Sequence, residues 1–307
     1  MPNITVVGSV NTDLVIRCAT IPVPGQTLMG HSFLTTGGGK GANQAVAAAR
    51  LGGTVSLVAK IGADAFGKMS AGNFQQEGIS LSQLYTDAAM PSGVAVIVVD
   101  DKGENVIVVA PGANASLNAA DILQSEPVIE NADIVLLQLE IPMDTVAEAV
   151  TLATKHQRLV MMNPAPAAVI PDEVLKSIDI ITPNESEAKA LTGVEVNDSN
   201  SAQQACDKLH DKGITIVIIT MGSKGAYLSS NEYKGLISGF SHVKAVDTVA
   251  AGDTFCGALA VAITENKDLP AAVRFANAAA ALSVTKAGAQ ASIPKRGEVE
   301  ELLLYKD

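Results

Sequence analysis

Aromatic residues are scarce in this chain. Tryptophan is absent, and the 307 residues include four tyrosines and six phenylalanines. Proteins that bind single-stranded nucleic acid stack the bases on aromatic side chains, and they hold the phosphate backbone with clustered lysine and arginine. This chain carries 32 acidic against 21 basic residues, for a net charge of −11. The composition therefore argues against nucleic acid and anionic membrane surfaces as main partners.

Long apolar runs and paired cysteines are missing as well. The sequence contains no run of about 18 apolar residues, which is the length needed to cross a bilayer. The opening MPNITVVGSV lacks the basic region of a secretion signal. The three cysteines, Cys18, Cys206 and Cys256, form no CxxC pair, which predicts reduced thiols. With 48% hydrophobic and 17% charged residues, the composition is that of an ordinary globular protein. We therefore expect a cytoplasmic protein with a large core.

Strand and helix patterns alternate from about residue 115 onward. The predicted buried strands span 133–140, 159–166, 178–184 and 214–220. The helices predicted between them span 144–157, 185–192 and 201–212. Continuous apolar strands between amphipathic helices indicate a parallel sheet covered on both faces. The predicted fold class is therefore α/β, with a doubly wound, mostly parallel sheet flanked by helices, and its ligands should bind beyond the C-terminal ends of the strands.

Two segments break this alternation. Residues 12–36 contain prolines and glycines with short extended patches and no helical period. Residues 93–110 are two β-rich runs joined by DDKGEN, which is typical of a hairpin. We predict that segments at about 12–38 and about 91–112 form a small β-sheet lid on a single domain spanning 1–307.

Polar side chains follow two of the apolar runs. Asn11 and Asp13 come after VVGSV, and Glu140 closes IVLLQLE. At the C-terminal edge of a sheet such groups could bind a sugar, because one carboxylate accepts hydrogen bonds from two neighbouring hydroxyls. The alternatives are a polar turn for Asn11 and Asp13, and a side chain that reaches solvent for Glu140.

A glycine-rich stretch at 35–53 leads into an alanine-rich helix. The letters GGGKGA match the dinucleotide pattern G-x-G-x-x-G/A, but HSFLTT before them is a poor buried strand. The phosphate-loop pattern also fails, because glycine rather than serine or threonine follows the lysine. We interpret the stretch as backbone that approaches a ligand closely, with Lys40 and Asn43 near the helix start. A flexible loop before a helix is the alternative.

Two further segments are typical of phosphate and nucleotide sites. In TPNESEAKALTG (182–193), Asn184 and Glu187 would lie on one face of a helix start, which suits a hydrated Mg²⁺ beside phosphates. Helix capping explains the same pair. In ITMGSKGAY (219–227), glycines and hydroxyls suit a nucleotide, and a turn before a hairpin explains the same letters.

The stretch VDTVAAGDTFCGALAVAI (246–263) places Asp253 at the start of an almost uncharged helix. The preceding residues, Ala250, Ala251 and Gly252, would offer free N–H groups to a transferring phosphoryl group. A carboxylate that capped this helix would compete for those donors. We therefore place Asp253 just inside the first turn, facing an acceptor hydroxyl, with a simple helix cap as the alternative.

Eight segments of the chain occur in the order of a known family. They are GSVNTD, GGKGANQAVAAA, LLQLE, NPAPA, DIITPNESEA, TMGSKG, VDTVAAGDTFCGAL and TKAGAQAS. By these segments the chain resembles the ribokinase branch of the ribokinase-like (phosphofructokinase-B) carbohydrate kinases. The resemblance implies ATP-dependent phosphorylation of the 5-hydroxyl of D-ribose, with Mg²⁺ as cofactor and K⁺ as activator. It also implies a homodimer paired through the lid.

The same resemblance implies a role for each matching residue. Asp253 is the catalytic base, and the anion hole is formed by Ala250, Ala251 and Gly252. The implied sugar ligands, besides Asp253, are Asn11, Asp13, Gly39, Lys40, Asn43 and Glu140. The implied nucleotide and Mg²⁺-phosphate contacts are Asn184, Glu187, Thr220, Gly222, Ser223, Gly225, Gly252 and Asn277. The implied K⁺ ligands, several through main-chain oxygens, are Asp247, Val249, Ser283, Lys286, Gly288 and Ser292.

The chain departs from the family pattern at three positions, and other functions stay open. Ala250 stands where the wider family usually has glycine, Cys256 where many ribokinases have asparagine, and Asn277 where histidine is frequent. The nearest alternative is the same chemistry on 2-deoxyribose, another sugar or a nucleoside. A sugar-sensing protein without turnover and a dinucleotide oxidoreductase are more distant alternatives.

Overall fold

The computed structural model describes residues 2–304, so Met1 and residues 305–307 of the predicted domain lie outside the described residues. The strands are β1 (Asn3–Val7), β2 (Asn11–Arg17), β3 (Ser32–Gly38), β4 (Thr54–Gly62), β5 (Leu84–Asp87), β6 (Gly93–Val99), β7 (Asn105–Ala110), β8 (Ile134–Leu137), β9 (Leu159–Met162), β10 (Ile180–Ile181), β11 (Ile216–Thr220), β12 (Gly225–Ser229) and β13 (Lys234–Ser238). The helices are α1 (Lys40–Arg50), α2 (Ala65–Gln76), α3 (Ala119–Gln124), α4 (Glu126–Glu130), α5 (Met143–Lys155), α6 (Asp172–Leu175), α7 (Glu185–Thr192), α8 (Ser199–His210), α9 (Ala251–Thr264), α10 (Leu269–Ser283), α11 (Ala289–Ser292) and α12 (Arg296–Leu304).

The large sheet has the order β13-β12-β11-β10-β9-β8-β1-β4-β5. Its strands pair in parallel from β11 to β5, and only the β11–β12 and β12–β13 pairs are antiparallel. From β1 the chain winds to β4 and β5 on one side and to β8 through β11 on the other. The predicted doubly wound, mostly parallel sheet is therefore confirmed. Its switch point lies at β1, where ligands of this sheet class bind.

Successive residues of the central strands enter different cores. In β8, Ile134 and Leu136 pack with α1, α9 and α10, whereas Val135 and Leu137 pack with α3, α5 and α8. Burial of both faces explains why these strands read as continuous apolar runs. The predicted strand at 133–140 is shorter in the structure, because the chain leaves the sheet after Leu137 and carries its polar residues to the C-terminal edge.

Helix α9 lies between α1 and α10 and packs against the sheet. Ten consecutive residues, from Asp253 to Ala262, are buried, which accounts for the lack of charge in this helix. Gly257 brings α9 close to α1, since a Cβ there would lie 2.6 Å from the Ala47 Cβ and 2.7 Å from the main-chain oxygen of Gln44. Within residues 2–304, none of the helices is both long and apolar enough to cross a bilayer.

A small second sheet has the order β3-β2-β6-β7. β2 pairs antiparallel with β3 and parallel with β6, and the predicted hairpin is the antiparallel β6–β7 pair. One side of this sheet faces a cleft of about 440 Å³, lined by Asp13 and Thr36 on the sheet and by main-sheet loops around Asp247 and Gly288. Several apolar residues of the sheet are exposed: Phe33 and Leu34, which also line the cleft, and Val106, Ile107, Val108 and Val109.

Candidate active site

Asp253 lies in the first turn of α9, as predicted, and it does not cap the helix. The N-cap residue is Ala250, whose φ of 62° lies in the left-handed region. The Ala251 N–H donates to the Thr248 oxygen at 3.3 Å, and the Ala250 oxygen accepts from the Thr254 N–H. The Ala251 donor is therefore engaged rather than free, which differs from the expectation for this turn.

Two side-chain amides from α1 hold the Asp253 carboxylate. Asn43 Nδ2 donates to Oδ2 at 2.9 Å, and Gln44 Nε2 donates to Oδ1 at 3.1 Å. Asp253 is 6% exposed, so little solvent competes for these bonds. The charge of Asp253, more than any other group, raises the pKa of the nearby Lys40 ammonium. The first turn of α9 therefore holds an oriented acid beside a positive charge.

The predicted sugar ligands gather around the end of β1 and the start of α1. The Glu140 Oε2 accepts from the Ser9 hydroxyl and from the Lys40 N–H at 3.0 Å. Gly39 has a φ of 87°, and a Cβ there would lie 2.6 Å from the Asn11 nitrogen. A glycine is therefore required at this close approach.

Asp13 is the most strongly perturbed acid of this group. Burial, followed by the charges of Glu140 and Asp253, raises the pKa of its carboxyl to about 7. The side chain lies against Gly38, where any Cβ would overlap the carboxylate. Asn43 Oδ1 is buried with no hydrogen-bond partner. An acid that is costly to ionise and an unpaired acceptor are both groups that bound hydroxyls would satisfy.

Asn184 and Glu187 form a capping box at the start of α7. The Asn184 Oδ1 accepts from the Glu187 N–H at 2.8 Å, and the Glu187 Oε2 accepts from the Asn184 N–H at 2.8 Å. Both residues also line a cavity of about 180 Å³ together with Lys40 and Asp253. Burial raises the pKa of Glu187, while Lys40 opposes that rise. Capping and a place at the ligand cavity therefore coexist, although the sequence presented them as alternatives.

A second cavity of about 320 Å³ adjoins the first one across the start of α9. Thr220, Thr248, Ala251 and Gly252 line both. The walls of the larger cavity are mostly apolar, with Phe240 and Val243 among them, and this suits a flat heterocycle. The predicted nucleotide contacts that line it are Thr220, Gly222, Ser223, Gly225, Gly252 and Asn277. Asn277 Nδ2 donates to the main-chain oxygens of Ile237 and Ser238.

Asp247 joins the two segments that carry the predicted cation ligands, 247–249 and 283–292. Its Oδ1 accepts from the Val249 N–H at 3.0 Å and its Oδ2 from the Gly288 N–H at 2.9 Å. The Lys286 ammonium pairs with Glu298 and has no lone pair for a cation, so only the main-chain oxygen of Lys286 could serve as a ligand. The hydroxyls of Ser283 and Ser292 are buried and donate to helix carbonyls.

Four polar residues at the site were not singled out by sequence. Asn114 accepts from the Val10 N–H and donates to the Asn11 side chain. Ser9 contacts Glu140, and Gln44 and Asn163 contact each other beside Asp253. Asn163 follows the buried strand β9, just as Glu140 follows β8. This position at the end of a strand was the sequence feature from which Asn163 could have been predicted. Asn114 carried no such signal, because its contacts lie about 100 positions away in the chain.

Comparison with known proteins identifies the family of this chain. The family model for pfkB family carbohydrate kinases matches residues 1–296. A ribokinase of Haemophilus influenzae is 49% identical over 98% of both chains, and a deoxyribokinase of Salmonella typhi is 36% identical over 98% of both. The solved structure of Arabidopsis thaliana ribokinase with ribose and ATP covers 99% of both chains at 36% identity, with a TM-score of 0.93. The chain therefore belongs to the pfkB family of carbohydrate kinases.

Proposed function

We propose that this protein transfers the γ-phosphoryl group of ATP to the 5-hydroxyl of D-ribose, giving D-ribose 5-phosphate and ADP. The observation that carries the proposal is the position of Asp253. It is held by Asn43 and Gln44 beside a polar pocket, and the residue before it lines both cavities at the start of α9. The relatives named ribokinase support ribose as the acceptor.

In the proposed mechanism, Asp13 and the Gly39–Asn43 segment hold the sugar with its primary hydroxyl facing Asp253. Asp253 accepts the hydroxyl proton while the oxygen attacks the γ-phosphorus in line. The N-terminus of α9 and the Lys40 ammonium stabilise the charge on the transferring group. Because the transition state is loose, positioning and electrostatics provide most of the rate enhancement. Closure of the small sheet over the sugar would exclude water.

Mg²⁺ and K⁺ belong to the same proposal. The cavity around Lys40 contains the two acids Glu187 and Asp253, a net negative set that fits a phosphate-bound Mg²⁺ held through Asn184 and Glu187. When bound, Mg²⁺ would neutralise phosphate charge. The predicted K⁺ ligands offer one carboxylate, from Asp247, and otherwise hydroxyl and main-chain oxygens. This set of oxygens fits K⁺. In residues 2–304 no three His, Cys, Asp or Glu residues form a metal-holding group.

The alternative acceptor is 2-deoxyribose, favoured by the relative named deoxyribokinase. Initial rates of ADP release with ribose, 2-deoxyribose, fructose and adenosine decide between the acceptors. We expect kcat/KM to be highest for ribose. A higher kcat/KM for 2-deoxyribose would reassign the acceptor, and ribose binding without ADP release would support a sugar sensor instead.

We also propose that the protein is a cytoplasmic homodimer paired through the exposed face of the small sheet. Val108 is 64% exposed in a strand whose six residues are all exposed. A contiguous apolar face of this kind is typical of a subunit interface. Val108→Asp should therefore halve the mass measured by light scattering, whereas Leu123→Asp, at an exposed position of α3, should leave it unchanged. A wild-type protein that is monomeric at micromolar concentration would contradict the proposal.

A further inference from the structure

Gln44 contacts Asp253 although it has no place in the sugar, nucleotide or cation sets. It lies in α1 with 0% of its surface exposed. Its Nε2 donates to Asp253 Oδ1 at 3.1 Å and to Asn163 Oδ1 at 3.2 Å. Both hydrogens of the amide nitrogen are therefore used, one of them by the proposed base.

The direction of these bonds is dictated by a main-chain carbonyl. Asn163 Nδ2 donates to the Thr182 oxygen at 3.1 Å, and a carbonyl oxygen only accepts hydrogen bonds. Asn163 must therefore present its Oδ1 to Gln44, and Gln44 must present its NH₂ group to both acceptors. Gln138 completes the network, because its Nε2 donates to Gln44 Oε1 from the other side. A flipped Gln44 amide would lose three favourable contacts and place an oxygen against the Asp253 carboxylate.

Two glycines make room for the amide network. Gly257 lies one turn after Asp253 in α9 and allows the Gln44 backbone of α1 to approach closely. A Cβ at Gly8, after β1, would overlap Gln138 Oε1. The short distance between α1 and α9, which lets Gln44 contact Asp253, therefore depends on the close packing of α1, α9 and the end of β1.

We propose that Gln44 is a positioning residue that fixes the rotation of the Asp253 carboxylate. Gln44 holds Oδ1 and Asn43 holds Oδ2, and the second lone pair of Oδ2 is left to face the acceptor hydroxyl. In a buried site a carboxylate with one unheld oxygen would rotate, and a small misplacement of a catalytic group lowers the rate strongly. The inference deepens the proposed kinase function and rests on it.

The test is a double-mutant cycle between Gln44 and Asp253. Gln44→Met removes the amide while keeping the volume nearly unchanged. We expect kcat to fall about 10- to 100-fold, the loss of a hydrogen bond to a charged group, with the KM values of ribose and ATP within about threefold. In a protein that already carries Asp253→Asn, the same change should lower kcat by less than about twofold.

A purely structural role would give a different pattern. Val46→Ala, at a buried position of the same helix, should lower thermal stability and leave kcat within about twofold. If Gln44→Met does not fold, Gln138→Met tests the same network one bond further from Asp253, with a smaller expected fall in kcat. Wild-type kcat in Gln44→Met, or an equal fold-loss with and without Asp253→Asn, would overturn the inference. No turnover of ribose by the wild-type protein would instead refute the proposed function, and the cycle would then use the acceptor with the highest rate.

Discussion

Replacing Asp13 by asparagine should stabilise the ligand-free protein at neutral pH while it weakens ribose binding. Asp13 is 6% exposed, and its pKa is raised from 3.8 to about 7, mainly by burial and then by the charges of Glu140 and Asp253. The folded state therefore keeps its proton over a pH range in which the unfolded state has lost it. The contribution of Asp13 to stability is fully present below about pH 4, falls as pH rises, and levels off above about pH 7.

The magnitude follows from the shift of about three pKa units. At about 1.4 kcal/mol per unit, the raised pKa of Asp13 costs the folded protein about 1.6 kcal/mol of stability at pH 5, where only the unfolded chain has lost the proton, and up to about 4 kcal/mol at pH 8. Asp13→Asn removes this cost, so the stability difference between variant and wild type should grow with pH. For ribose we expect KM to rise about 10- to 100-fold, because a carboxylate that accepts from two hydroxyls is replaced by a neutral amide.

The assay is urea unfolding of both proteins at pH 5 and pH 8 without ligand. Asp211→Asn, at an exposed position after α8, is the matched control and should show the same stability difference from wild type at both pH values. A stability difference for Asp13→Asn that does not change between pH 5 and pH 8 would refute the argument from burial.

Two further predictions concern the backbone around α9. Ala250→Gly should raise the free energy of unfolding by about 1 kcal/mol, because Ala250 has a φ of 62°, which glycine adopts without strain. The kcat of this variant should stay within about twofold of wild type. A loss of stability in urea unfolding would contradict the prediction. Gly257→Ala should lower stability by about 1–3 kcal/mol and also lower kcat, because the new methyl group presses against Ala47 and moves α1 away from Asp253. Unfolding and steady-state kinetics on the same preparation test both effects, and unchanged kcat in Gly257→Ala would show that the α1–α9 distance is not critical.

The order of elements and most of the candidate site could be predicted because each motif follows a strand or opens a helix. Helix α7 has the predicted bounds of 185–192, and it ends before Gly193, which adopts a left-handed conformation. The strand at 178–184 is reduced to Ile180–Ile181, since only those residues pair with both neighbours. The sequence pattern shows which residues are apolar enough for a strand. The length of the strand depends on how many of those residues pair with the neighbouring strands.

The contacts that the sequence did not reveal depend on distances between elements. Gln44 is adjacent to Asn43, yet its contact with Asp253 requires the close approach at Gly257, and the periodicity of α1 contains no information on that distance. Asn114 reaches Asn11 from a 3₁₀ turn after β7. For Asn184 and Glu187 the sequence predicted either a helix cap or a ligand site, and the capping box both begins the helix and lines the cavity.

Turnover of ribose by Asp253→Asn tests the proposed role of Asp253 most directly. The amide keeps the shape of the side chain but cannot accept the hydroxyl proton as a base. We predict that kcat for ADP release falls about 10³-fold while the dissociation constant of ATP, measured by calorimetry, stays within about threefold of wild type. Near-normal turnover in Asp253→Asn would contradict the assignment of Asp253 as the base.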